Sequence, residues 1–268
     1  MEHKFLYKFK QQKDKRDHAF SVALHPTDST LEISTITVPI KNKITTKSSK
    51  VSPTSYIIPN LPAIMDQGQL GSCAANAVTF NMLISCPTMP FPSRLMEYDM
   101  AKMYDNSPME DDVGTYLSSV YTMNKNYGVI SELIFPYLPS NYYILPTLPS
   151  FNQLKQFSQF QYVAIGQTLL TFKNWLSSGK AITLGIMVYS SFMKAKKGII
   201  PTPIIKKETL LGGHAITIVG YDDATKRFTF ANSWNTNWGI NGYGSIPYLY
   251  ILNPALTEDC TGLVCLVQ

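Results

Sequence analysis

The hydrophobic pattern of this chain changes period partway along, and that change constrains the fold more than any other feature. From Cys73 the apolar positions Ala74, Ala77, Val78, Phe80, Met82, Leu83 and Ile84 recur at helical spacing. Gly71-Ser72 opens the run and Pro87 stops it, which predicts a helix of about three turns. A second helix is expected over 115–127, ended by Gly128 as a C-cap, and a third over 169–177. Thereafter β-branched and aromatic residues alternate over 181–189, 214–222 and 226–234, which is strand grammar. Helices first and strands second give an α+β class. With 268 residues, 45% of them hydrophobic, the chain has enough material for one sizeable domain or two small lobes. The Pro- and Tyr-rich stretch 135–149 reads as the crossing between lobes.

Charge and cysteine content narrow the function classes. Residues 1–50 carry ten Lys+Arg against five Asp+Glu, so the whole net charge of +5 sits in that segment. Its basic residues are interspersed with acids and no nucleic-acid fold follows, so it reads as a solvated or docked extension and not as a nucleic-acid arm. The stretch 27–60 is rich in Ser, Thr, Lys and Pro and reads as an extended connector, with the compact domain starting near Leu61. No run has signal-peptide or membrane-spanning character, so an intracellular chain without a membrane partner is expected, cytoplasmic or carried in a virion if viral. In that setting Cys73, Cys86, Cys260 and Cys265 are expected as reduced thiols, the last three as inert packing residues. Their spacing does not suit a metal, and no metal or organic cofactor is expected. The basic run 194–208 reads as a solvated loop ahead of the third-quarter strand.

Chemistry concentrates in four residues. Cys73 opens a helix, where the positive end of the helix dipole and a nearby imidazolium would lower its pKa into the thiolate range. The strands from His214 and to Asn232 form a candidate hairpin; pairing Gly220 with Arg227 sets position 214 opposite 233, with His214 and Asn232 at one end. An amide oxygen there can accept from one imidazole nitrogen and set its tautomer. Gln67, on the loop that leads into the helix, offers with the Cys73 backbone N–H a pair of donors for a developing oxyanion.

Taken in order, three segments make a specific match. DQGQLGSCAAN resembles the nucleophile segment of the papain and cathepsin cysteine peptidases, GGHAITIVGYD their histidine segment, and ANSWNTNWGINGYGSI their asparagine segment. In that family the histidine and asparagine follow the cysteine by roughly 130 to 150 residues; here they follow by 141 and 159. The resemblance covers roughly 61–268 and implies Cys73 as nucleophile, His214 as base and acid, Asn232 as orienter and Gln67 in the oxyanion hole. It further implies that Gly71, Ser72, Gly114 and Gly213 line the substrate, that Trp234 shields the Asn232 bond and that Trp238 borders the leaving-group side. The chain departs from plant papains and cathepsins in reading Leu70-Gly71-Ser72-Cys73-Ala74, without the upstream cysteine or the following tryptophan. It is most similar to the compact, signal-less members of bacteria and large DNA viruses.

The expected architecture is therefore a papain-like two-lobe fold, helical over 61–148 and β-barrel-like over 149–268, with a cleft between. Residues 1–60 are expected as a short inhibitory propeptide or a packing arm. The expected partner is a polypeptide substrate, the expected state a monomer. A silent peptide-binding homologue and an acyltransferase or transglutaminase with the same triad are the rival readings.

Overall fold

The computed structural model describes residues 52–144 and 160–266. Its elements run β1 (Ser55–Ile57), α1 (Cys73–Ser85), α2 (Arg94–Tyr104), α3 (Leu117–Tyr127), β2 (Phe160–Ala164), α4 (Leu169–Ser177), β3 (Ile182–Tyr189), β4 (Leu210–Asp222), β5 (Arg227–Ala231), β6 (Tyr243–Pro247) and β7 (Thr257–Cys265), with one-turn helices at Ser190–Met193 and Tyr248–Ile251. Most of residues 1–60, and the part of the expected crossing after residue 144, lie outside the described residues. The expected helices stand at α1, α3 and α4, with Gly128 capping α3 at φ 80°. α2 and the strands β1, β2, β6 and β7 were not expected.

The strands form an antiparallel sheet in the order β2-β7-β3-β4-β5-β6, and β1 pairs with β4 beyond the point where β3 leaves off. The sheet thus takes in Ser55–Ile57, ahead of the start expected near Leu61. Gly220 permits that pairing: a Cβ there would meet the Tyr56 carbonyl oxygen at 2.5 Å. The β4–β5 register also differs from the expected one. Asp222 pairs with Arg227 and Tyr221 with Phe228, and an irregularity between Ile218 and Gly220 shifts the rest so that Thr217 faces Ala231. Such a bulge is invisible to a count from the turn.

β3 and β4 are buried on both faces because α1 covers one of them. Along β4, Ile216 and Ile218 belong to the core of the strand-rich lobe, whereas Ala215 joins the cluster around α1 and the Thr217 hydroxyl donates to the Ala77 carbonyl at 2.9 Å. Asn81 donates to Thr183 Oγ1 on β3 at 2.9 Å. Each such buried bond contributes about 1 kcal/mol net, and more is lost if one partner is removed. α1 carries α2 and α3 against it as well, so it is apolar nearly all round and is the element shared by both lobes.

Cys86 and Cys265 are joined by a disulfide, which overturns the expectation of four reduced thiols. α1 runs beside the last strand, where the Ser85 hydroxyl donates to the Leu263 carbonyl at 3.2 Å. That neighbourhood, 179 residues apart in sequence, has no local signal. Cys73 and Cys260 are free thiols.

Candidate active site

Cys73 is the first residue of α1 and is fully buried. Backbone N–H groups of Ala215, Ala74 and Cys73 itself favour its thiolate, yet loss of water outweighs them and pushes the thiol up to about 12. The expected depressed pKa is therefore reversed in this structure. The Ala215 contact also places the sulfur beside the start of the His214 strand.

His214 is buried on β4 with Nε2 2.8 Å from Asn232 Oδ1. The same oxygen accepts the Ser233 backbone N–H at 2.9 Å. An acceptor held by one donor requires Nε2 to be the second, so the neutral ring carries its proton there and Nδ1 is the basic nitrogen. The imidazole lies 4.8 Å from the Trp234 ring. Trp234 is itself buried and meets Trp238 edge-on at 5.5 Å, with Phe192 against both. The His214–Asn232 bond is thus closed in by aromatics.

Gln67 is tied to the asparagine segment by two bonds to Ser233. Its backbone N–H donates to the Ser233 carbonyl at 2.9 Å, and its Oε1 accepts the Ser233 hydroxyl at 2.6 Å. The amide orientation is therefore fixed, with Nε2 donating one hydrogen to the Leu70 carbonyl at 2.9 Å and carrying a second. An amide so held can serve an oxyanion without reorganising.

Around this group stand the expected Gly71, Ser72, Gly114 and Gly213 together with Tyr137, Arg94 and Asp112, which the sequence reading did not single out. Tyr137 bonds Ser72 Oγ at 2.5 Å and donates to the Gln67 carbonyl at 3.0 Å. Arg94 stacks on Tyr137 at 4.0 Å, pairs with Glu132 at 2.8 Å and donates to Asn76 and to the Asp66 carbonyl. Asp112 accepts the Gly71 N–H at 2.9 Å and the Tyr98 hydroxyl at 2.7 Å, while Gly114 N–H reaches that hydroxyl at 3.2 Å. Ser72 is buried, with its hydroxyl turned to Tyr137 and Asn76. Gly71 commits its N–H to Asp112. Gly114 adopts φ 73° beside that loop, and Gly213 is buried in β4 opposite Met187. The signal for Tyr137 is the Phe-Pro-Tyr triplet; Ser233 simply follows Asn232; Asp112 and Arg94 have none.

Among the described residues no group of three His, Cys, Asp or Glu is arranged to hold a metal ion. None of their helices is long and apolar enough to cross a membrane.

A helix-borne cysteine set against Ala215, the neighbour in β4 of a histidine bonded to an asparagine, has the residue types of a thiol-dependent hydrolase on an α+β, two-lobe fold. The family model for papain family cysteine proteases matches residues 57–248, and the chain belongs to that family, whose members are cysteine peptidases. Over 218 residues it is 33% identical to an uncharacterised peptidase C1-like protein of Acanthamoeba polyphaga mimivirus, covering 75% of this chain and 70% of that one. It is 25% identical over 199 residues to the cathepsin B-like CP2 of Giardia intestinalis, covering 68% of this chain and 63% of that one. Its fold is similar to that of xylellain, a cysteine protease from Xylella fastidiosa, with a TM-score of 0.79, 25% identity, and 99% and 98% of the two chains covered.

Proposed function

We propose that the protein hydrolyses peptide bonds of extended polypeptides through a thioester formed on Cys73. The observation that carries this reading is the 2.8 Å bond from His214 Nε2 to Asn232 Oδ1, which leaves Nδ1 as the proton acceptor for a sulfur seated at Ala215. The thiol is neutral when buried, so His214 takes its proton as sulfur attacks the substrate carbonyl. The oxyanion is met by the Cys73 N–H and Gln67 Nε2. Collapse breaks the C–N bond, and the imidazolium gives its proton to the departing amine. Water then attacks the thioester, with Nδ1 taking its proton, and the second collapse returns a carboxylate product and the free thiol. We further propose that residues 1–60 act as an inhibitory peptide or a packing arm, a reading that rests on sequence alone. The disulfide suits oxidising surroundings, a virion surface among them.

The test is cleavage of internally quenched peptides, with products identified by mass, by the full chain and by a chain lacking residues 1–51. Cys73→Ala is expected to abolish turnover in both. A higher rate in the shortened chain supports an inhibitory segment, and an insoluble one supports a packing arm. Cleavage that survives Cys73→Ala contradicts the mechanism. Transfer of the acyl group to an added amine in preference to water would favour the acyltransferase reading.

A further inference from the structure

One wall of the His214 site carries a concentration of charge that the chemistry above does not use. The connection from β3 to β4 begins at Ser190 and returns at Thr209, where the Ser190 N–H donates to the Thr209 carbonyl at 3.0 Å; His214 follows five residues later. Within it Lys194, Lys196, Lys197, Lys206 and Lys207 are all exposed. Segments 190–213 and 232–247 together contain these five lysines and a single acid, Glu208. That acid is engaged by the backbone N–H groups of Ser191 and Ile204, and none of the five lysines forms an ion pair among the described residues.

The connection is braced against the aromatic wall of the site. Phe192 stacks on Trp238 at 6.3 Å, Ile200 N–H donates to the Ser245 carbonyl at 2.9 Å, and Gly198 packs so closely that a Cβ would meet the Tyr243 carbonyl oxygen at 2.9 Å and Gly239 Cα at 3.0 Å. Lys194, Lys196 and Lys197, between Phe192 and Ile200, are therefore held beside the Trp238 wall, and Lys206 and Lys207 lie on the same connection. The Gly71 loop, away from this connection, has the other sign beside it: Asp112 accepts the Gly71 N–H. Exposed Ile199, Ile204, Ile205 and Ile240 add apolar surface on the basic side.

We infer that this basic wall is a specificity determinant that selects polypeptides with acidic residues on one side of the scissile bond, the side that lies along Trp238. The inference rests on the peptidase reading. Fixed charges of one sign beside a cleft raise encounter rates by tenfold or more and do so less as salt rises. With acid beside the Gly71 loop and lysine beside Trp238, the preference has a direction.

The test uses the full chain and three quenched peptides of one core sequence: an Asp/Glu flank before the scissile bond, the same flank after it, and neither. The flank after the scissile bond, on the leaving-group side that Trp238 borders, is expected to give kcat/KM about tenfold above the flank before it. That ratio is expected to shrink toward one in high salt, and also in chains carrying Lys194→Glu, Lys196→Glu and Lys197→Glu or Lys206→Glu and Lys207→Glu. Equal rates for both placements, the reverse preference, or a ratio that ignores the lysines overturns the inference. If no peptide is cleaved, and wild type equals Cys73→Ala, the peptidase reading fails separately. Fluorescence anisotropy of the same peptides then decides the charge question: lysine-dependent preference for the acidic ones supports it, and no preference overturns it. Lysine-dependent sedimentation with phosphatidylserine vesicles, without any peptide preference, would assign the patch to a membrane and overturn it as well.

Discussion

Cys73 sits between opposed influences, and their balance sets how the thiol must be activated. The helix terminus and three backbone N–H groups pull its pKa down, while complete burial pushes it up to about 12. In the proposed mechanism the sulfur therefore holds its proton at neutral pH until His214 takes it, and the oxyanion donors then carry much of the rate. Gln67→Ala is expected to lower kcat by about 100-fold to 1,000-fold with little change in KM, measured by steady-state cleavage; undiminished turnover would remove Gln67 from the site. Cys73, His214, Asn232 and Gln67 were legible because each sits in a run whose glycines, alanines and tryptophans are themselves constrained. Asp112 and Arg94 act across long separations, and nothing local marks them, whereas Tyr137 and Ser233 stand in or beside recognisable runs whose contacts are not legible from them.

At the scale of elements, α2 explains why a helix can escape notice. Arg94, Glu97, Asp99 and Lys102 are all buried, so its charges fall where an apolar stripe would be sought. Lys102 donates to the carbonyls of Met109 and Asp111, each at 2.6 Å, and so holds the loop that presents Asp112. Burial pushes the carboxyls of Glu97 and Asp99 up from 4.5 and 3.8 to about 8. A raised folded pKa gives stability that is fully present below about pH 4 and is lost as pH rises to about 8. Urea midpoints are thus expected to be higher near about pH 5 than near about pH 8, and Glu97→Gln with Asp99→Asn is expected to flatten the difference. A wild-type midpoint that falls toward the acid side contradicts this. Among the strands, β3 and β4 were legible from alternation. β6 holds Gly and Pro and β7 opens on Thr-Glu-Asp, so neither shows clean alternation, and they become strands where β5 and β3 pair with them.

The described residues are organised around α1, which carries Cys73, the proposed nucleophile, at one end and a disulfide to the last strand at the other. Closing a loop of this length restricts the unfolded chain by about 5 kcal/mol on chain entropy alone. Cys86→Ser with Cys265→Ser is expected to lower the unfolding midpoint accordingly, and reductant is expected to move wild type to the same value; no change would mean that the pair adds nothing. The α+β class follows from the change of hydrophobic period, and the two lobes from the resemblance of the three site segments to the papain family. The disulfide and the β4 bulge follow from neither, because both are set by packing partners far away in sequence.

The measurement that tests the central claim most directly is mass labelling of the full chain with a peptidyl epoxide at neutral pH, followed by peptide mapping, beside His214→Ala. A single adduct on Cys73 that disappears without His214 is the predicted result. Labelling at another residue, or labelling of Cys73 that His214→Ala leaves unchanged, would contradict a thiol activated by that imidazole.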